Sequence, residues 1–577
     1  MPTNRPAQPT EPGGGAPDAR RLRAILITVS VALMAVIASV SGLNVAQTHM
    51  AVEFGAAQST VLWIINSYTL VLAALLLPLG AIGDRLGRRP MLITGLGVFG
   101  AASVLAGLAR SAEIMLVARL AGGVGAAMIM PVTLAVITST FPEQQRGKAI
   151  GVWTGVAGGG GILGMFLSAL LVDVADWHGL FVLPVVLVAV ALAMTLKWVP
   201  DSRESSAHRF DTLGALLSAV AVAGLVFALQ EGPEGGWTTP RTLTGLAVGV
   251  VAALGFVARQ SARRDAALLD VRLFRERGLT GGSVTLLVVF GVQAGIAVVL
   301  FPFFQAVLGW SGLLSTVALM PMAVMMMAAS GLAHRLAART GARRTMALGI
   351  ALAALGLALL ALFVSVDGGY PAVLPGLLAM GTGMGLSMTP ATEAVTASLP
   401  REKQGVASAL NDVTREFGTA LGVALLGALL SAGYRGAIDD RLHGIPQGAA
   451  DTARQGVANA VEAAGDNRPY AHDLVQAAQQ SFVDGWKQAM WAGVAVMGAL
   501  FLHVALRGPR DATPAAEDGT GPTEALAAEE GTGATEAPAA EEGTGPTEAP
   551  AAEEGAGPTE APAAGDGTGA AEAAVTP

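Results

Sequence analysis

The chain has 577 residues, 53% of them hydrophobic and only 14% charged, with a mean hydropathy of +0.56. Soluble domains carry about 25% charged residues, so an ordinary soluble domain is excluded, and the absence of cysteine excludes disulfides and thiolate metal sites. The formal net charge of −8 comes largely from an acidic C-terminal tail, and the remainder offers no basic nucleic-acid face.

Residues 1–23 are Pro/Gly-rich and lack a signal-peptide cleavage pattern, and the apolar run at 24–52 is too long for a cleaved segment. That run reads as a first membrane helix behind a disordered cytoplasmic N-terminus. Uncharged apolar stretches then recur, each long enough to cross a hydrocarbon layer about 30 Å thick. They predict helices at 24–47, 58–82, 90–109, 113–138, 148–172 and 179–199, then 211–230 and 242–260. The last six fall at 279–304, 313–333, 345–365, 371–393, 405–432 and 484–506. Residues 278–333 carry no charge, and the break within them is set at the turn-like 308–312, which holds the interfacial aromatic Trp310. A long external loop of mixed charge, partly helical, is expected at 433–480. The tail, 508–577, repeats a 12-residue unit (Glu529 to Ala540, then again from Glu541) with almost nothing large and apolar to bury. Disorder is therefore expected rather than a solenoid.

With these spans, most of the 35 Lys and Arg fall in the even-numbered loops and the termini, including Arg20, Arg21 and Arg23, Arg259, Arg263 and Arg264. Basic residues are retained on the cytoplasmic side. Both ends are expected to be cytoplasmic, and the protein to be a multi-pass resident of a bacterial plasma membrane.

The loop after helix 2 contains Gly80, Gly83, Asp84, Arg85, Gly87, Arg88 and Arg89; the loop after helix 10 contains Arg335, Arg339, Gly341, Arg343 and Arg344. They align with Arg85 on Arg339, Gly87 on Gly341 and Arg89 on Arg343, while Asp84 falls on Ala338. A loop repeated in two halves marks a transporter built from parallel repeats. The first copy resembles the cytoplasmic loop signature of the major facilitator superfamily. With fourteen spans the chain is most similar to the drug:proton antiporter subfamily, over about residues 24–506.

The resemblance implies an all-α polytopic membrane protein with the major facilitator fold. Its parts are a first six-helix half at 24–199, two extra linker helices within 200–265 and a second half at 278–506. It also implies that the Gly80–Arg89 cluster is a conformational latch. On its own chemistry, Asp84 lies at the membrane edge, where a helix N-terminus and a nearby Arg can satisfy it. The alternative is that Arg85, Arg88 and Arg89 are topology signals alone.

Helix 4 carries Arg119 followed by Gly122, Gly123 and Gly125, which resembles the family's intramembrane Arg among small residues, with an implied role in proton transfer. The alternative is a structural hydrogen-bond hub. Arg119 lies about 9 Å down from the external end at 1.5 Å per residue. In helix 1 the family's acid is replaced by Ser39, at the same level. Helix 5 keeps the family's glycines (Gly158, Gly160 and Gly164 among them) but has Gly161 and Met165 where proline is expected. Consecutive glycines make a bendable point, so a hinge is expected there.

Helix 13 holds Asp412, Arg415 and Glu416 in mid-span. Spacings of three and four let them share one face, and two carboxylates beside one Arg are not both readily ionised in low dielectric, so one is expected to carry a proton. Asp412 is the expected proton site and Arg415 its modulator; a structural brace between helices is the alternative. Asn44, Gln47, Asn66, Tyr68 and Gln293 are candidates for lining the central path. The methionines at 320–327 read as helix packing or as an adaptable lining.

The function these features imply is export of amphipathic small molecules by proton antiport, as in multidrug or antibiotic efflux, by a monomer with membrane lipid, substrate and protons as its partners. A dedicated metabolite transporter with altered or absent coupling, and a non-transporting sensor on the same fold, are the alternatives. No phosphate loop or metal-spaced cluster is present, so no enzyme activity, cofactor, metal or nucleic-acid partner is expected.

Overall fold

The computed structural model describes residues 18–46, 50–51, 53–56, 58–174, 177–202, 210–263, 267–465 and 469–509. Gln47, the side chain of Asn44, the first 17 residues and the tail from 510 onward lie outside the described residues.

Fourteen helices among the described residues are long and apolar enough to span a bilayer. They are α1 (Ala19–Gly42), α2 (Gln58–Leu86), α3 (Arg88–Gly107), α4 (Ala112–Thr140), α5 (Glu143–Val174), α6 (Val182–Trp198), α7 (Thr212–Gly235), α8 (Pro240–Arg263), α9 (Arg277–Pro302), α10 (Gly312–Thr340), α11 (Ala342–Phe363), α12 (Gly369–Ala397), α13 (Gln404–Ile438) and α14 (Ala471–Arg507). The loop expected at 433–480 is shorter than its charges suggest. Tyr434 and Ile438 at one end and Leu474, Ala477 and Ala478 at the other are buried, so α13 and α14 continue past their apolar runs. Two short helices, Gln447–Ala453 and Val457–Ala464, fill the gap. They are held down by the Tyr434 hydroxyl, which donates to the Ala453 carbonyl (2.6 Å).

The helix pairings repeat. In the first six helices α1 packs on α5, α2 on α4, and α3 on α4 and α6; in the last six α9 packs on α13, α10 on α12, and α11 on α12 and α14. Two seams related by the same repeat join the sets, α2 against α13 and α5 against α10. The repeated loops match in backbone as well: Gly87 has φ 108° and Gly341 φ 91°, a region that disfavours any residue with a Cβ.

The additional pair, α7 and α8, crosses where a Cβ on Gly224 would lie 2.7 Å from the Cα of Gly249. Helix α7 leans on α2 and α13: Gln230 donates to the Thr69 hydroxyl (3.1 Å), and Val222 and Val226 pack with Leu70, Ala73, Val413 and Phe417. At its start, Asp211 caps the helix through the Gly214 N–H (3.0 Å) and accepts from Arg259 (2.7 Å) and Gln260 (2.9 Å) of α8. Burial alone would push this carboxyl up, but the bonds from Arg259, Gly214 and Gln260 outweigh it and hold it below the usual carboxylate range. Its contribution is therefore complete above about pH 4, the ordinary aspartate value, and is lost as pH falls through the lower folded value. Asp211→Ala removes the cap and the tie to α8 together and is expected to cost about 1–2 kcal/mol. Faster hydrogen exchange over 212–235 than elsewhere in the bundle is the readout; an unchanged rate there would contradict it.

Candidate functional site

The Gly80–Arg89 cluster closes the α2/α13 seam at the basic end. Both carboxylate oxygens of Asp84 accept from the backbone N–H of Gly405 (2.9 and 2.8 Å), and Oδ2 also accepts from that of Val406 (3.3 Å). These are unpaired N–H groups of the first turn of α13, where the helix dipole favours an anion. Arg88, one turn on, donates to Asp84 at 3.1 Å. Gly80 makes the approach possible: a Cβ there would lie 2.6 Å from the Gly405 carbonyl oxygen and 2.8 Å from the Ala409 Cβ. Gly83 faces Val132 and Met91 within its own half. Arg85 lies over the Phe210 ring (5.4 Å), and Arg89 donates to the Leu196 carbonyl (2.7 Å). The arginines thus have structural partners beyond any role in topology.

Farther along α13, Asp412 is fully buried and Arg415 nearly so, while Glu416 is mostly covered. The pairing differs from expectation. Arg415 lies 3.8 Å from Glu416, and no ion pair within 4 Å joins it to Asp412 among the described residues. The guanidinium is drawn instead over the Phe290 ring of α9 (5.2 Å) and toward the Met130 sulfur of α4 (3.9 Å), which separates it from Asp412 despite the i,i+3 spacing. Asp412 Oδ1 accepts a long bond from Asn411 (3.4 Å), and its Oδ2 has no partner among the described residues. An ionised carboxylate so placed is strongly disfavoured unless neutralised or protonated. The cluster sits on a surface of α13 facing both α9 of its own half and α4 of the other.

Arg119 and Ser39, matched in level from sequence, are in contact. Arg119 Nη1 donates to the Ser39 hydroxyl (3.3 Å) and carbonyl (3.4 Å), and the guanidinium stacks on the Tyr68 ring at 4.1 Å. Tyr68 is fully buried and its hydroxyl points to the Val36 carbonyl (3.5 Å).

The expected helix-5 hinge is an unbroken helix. Its glycines serve close packing: a Cβ on Gly158 would meet the Met326 sulfur at 3.0 Å, one on Gly160 the Met34 side chain at 3.3 Å, and one on Gly164 the Ala38 Cα at 2.8 Å. Missing Cβ atoms let backbones approach in lipid, which removes the need for a bend in this state. The methionines of α10 are part of that packing. Gly151→Val would place atoms against the Ser330 carbonyl, 2.8 Å from the Cβ position. It is expected to cost about 1–3 kcal/mol by overpacking, read as a lower thermal midpoint in detergent; no change would refute close packing at this seam.

Of the lining candidates, Gln293 reaches across the halves to the Gly158 carbonyl (3.3 Å). Asn66 does not face the central path; it lines a small cavity with Trp63, Phe227, Gln230 and Glu231 against α7. The added helix occupies the side of α2 that a twelve-helix reading leaves to lipid. One contact escaped the sequence reading: His334 of α10 lies 3.5 Å from Glu393 of α12, beside Gly147 near the start of α5. It stands at the seam related by the repeat to the one where Asp84 meets α13, with His334 one turn before Ala338. The missing acid at Ala338 was the available signal.

A family model described as Major Facilitator Superfamily matches residues 29–423. The chain is 30% identical over 506 residues to the "Multidrug resistance protein Stp" of Mycobacterium tuberculosis (strain CDC 1551 / Oshkosh), covering 85% of this chain and 93% of that protein. It is 32% identical over 448 residues to the "Multidrug efflux pump LfrA" of Mycolicibacterium smegmatis (77% and 86%). To the "Tetracenomycin C resistance and export protein" of Streptomyces glaucescens it is 31% identical over 409 residues (70% and 76%). Among solved structures, the proton:xylose symporter XylE bound to 6-bromo-6-deoxy-D-glucose superposes with a TM-score of 0.54 at 14% identity, covering 85% of this chain and 97% of that one, a likeness of fold alone.

Proposed function

The chain belongs to the major facilitator superfamily, in its drug-efflux branch, and on that premise we propose that it exports amphipathic small molecules by exchanging them for protons through the charged cluster of α13. It works as a monomer in the bacterial plasma membrane, with both termini on the cytoplasmic side and the basic loops beside them. Relatives named for multidrug and tetracenomycin C resistance support export of amphipathic compounds.

The observation that carries proton coupling is Asp412: fully buried, one oxygen unpartnered among the described residues, on a helix that packs against the other half. A carboxyl in that setting changes charge when the halves rock and its surroundings open to water. Protonated, it is tolerated in the closed bundle; exposed on one side, it releases the proton. The Asp84 latch closes the cytoplasmic side of the α2/α13 seam while the opposite side opens, so the loading and releasing faces alternate.

Everted vesicles under an imposed pH gradient test this with candidate dyes and antibiotics. Substrate-dependent proton release in wild type, absent in Asp412→Asn, supports the reading; equal release in both sinks it. A second reading, a narrower substrate range with altered coupling, is favoured by Ser39, which gives Arg119 a hydroxyl where the family resemblance expects a carboxylate.

A further inference from the structure

We propose that Arg119 is an anion subsite of this transporter, shaped to take a carboxylate group of the exported molecule. Arg119 as a residue is 3% exposed. Its Nη1 is engaged by Ser39, but Nε and Nη2 have no hydrogen-bond partner among the described residues. Those two nitrogens form the parallel-donor edge of arginine, the edge that matches the two oxygens of a carboxylate. An intact donor fork facing no acceptor inside low-dielectric protein is unfavourable, and a fixed positive charge there is more so.

The surroundings narrow the ligand. The fork adjoins a cavity lined by Ser39, Tyr68, Phe99, Ser103, Gly122 and Phe181. It is about 10 Å³, enough for one water-sized group, so it admits the oxygen end of a substituent and not a whole drug. The walls offer hydroxyls and aromatic rings and no second cation. The Tyr68 ring covers one face of the guanidinium, leaving its edge as the free direction. No ion pair to Arg119 within 4 Å is formed by any carboxylate among the described residues, and its hydrogen bonds go to Ser39. A carboxylate at position 39 would neutralise the guanidinium from within; serine leaves the charge for a ligand. The exported class is then amphipathic molecules bearing a carboxylate, zwitterions included.

The proposal rests on the export reading only in taking the anion as cargo, so it is tested by binding, with no gradient. Full-length protein in detergent is titrated by fluorescence polarisation with rhodamine 110, which has a free carboxylate, and with rhodamine 123, its methyl ester. Wild type is expected to prefer the carboxylate form by about tenfold, the scale of a charge-assisted fork. Ser39→Asp, which supplies an internal carboxylate, and Arg119→Lys, which keeps the charge but loses the fork, are both expected to bring the ratio close to one. Acetate displacing rhodamine 110 in wild type but not in Ser39→Asp supports carboxylate recognition. Displacement by chloride as well extends the site to inorganic anions and still supports an anion subsite. A wild-type ratio of one, a ratio unchanged in Ser39→Asp, or no dye binding together with a thermal midpoint unmoved by acetate overturns it. Vesicles that fail to move either dye while the binding ratio holds would instead count against export.

Discussion

Asp412→Asn is expected to abolish dye accumulation driven by a pH gradient in everted vesicles, a loss of at least about a hundredfold given the scale of proton-transfer defects, while dye binding to the purified protein changes little. The substitution keeps size and shape, so the buried site has no new cavity. It also keeps a polar group beside Asn411, whose amide lies 3.4 Å away. What it removes is the ability to change charge. Because Arg415 stands over Phe290 and within reach of Glu416 rather than Asp412, no fixed cation holds Asp412 ionised through a close pair. A neutral amide there mimics the protonated state permanently, and the cycle loses its driving exchange without losing its fold. Glu416→Gln is expected to fall between: it unpairs Arg415 but leaves the carrier in place. If Asp412→Asn retains full exchange while Glu416→Gln loses it, the carrier is Glu416 and the assignment of Asp412 fails.

Gly80→Leu should trap the molecule away from the state described here and reduce export by about tenfold or more. The Cβ position is 2.6 Å from a backbone oxygen of α13, which has no side-chain freedom with which to yield, and overpacking of this kind costs about 1–3 kcal/mol. Relative to a two-state balance of a few kcal/mol, that is enough to draw the two populations toward equality. Since the chain has no cysteine, cysteines introduced at Leu86 and Glu402 can carry spin labels without background. The inter-label distance is expected to lengthen in Gly80→Leu and to stay unchanged in Gly97→Leu, where a Cβ meets nothing within 4 Å. Equal distances in all three proteins would show that Gly80 does not govern closure.

Helix number, the two related halves and the added pair were all legible in the sequence, because hydrocarbon imposes length and apolarity on every span and the repeated glycine-arginine loop marks the halves. The seating of Asp84 was legible too: a lone acid at a membrane edge needs donors, and the α13 N-terminus supplies them. Pairing within α13 was not, since i,i+3 spacing fixes which residues share a face but not where a long arginine side chain settles among Phe290 and Met130. Asn66 was misplaced for a similar reason. Nothing in α2 alone tells which of its faces an extra helix will cover. The glycines of α5 carry two meanings in sequence, flexibility and close approach, and only the neighbours Met326, Met34 and Ala38 decide between them.

The two seams between the halves are unequal toward the bilayer. Helix α7 roofs the α2/α13 seam, touching both of its members through Gln230 and Val226 on one side and Val413 and Phe417 on the other. No corresponding extra pair follows for α5 and α10. When the halves tilt, a gap on the roofed flank opens onto protein, while one on the bare flank opens onto acyl chains. A greasy molecule dissolved in the leaflet is therefore expected to find the two flanks unequal, the one beneath α7 being covered by protein.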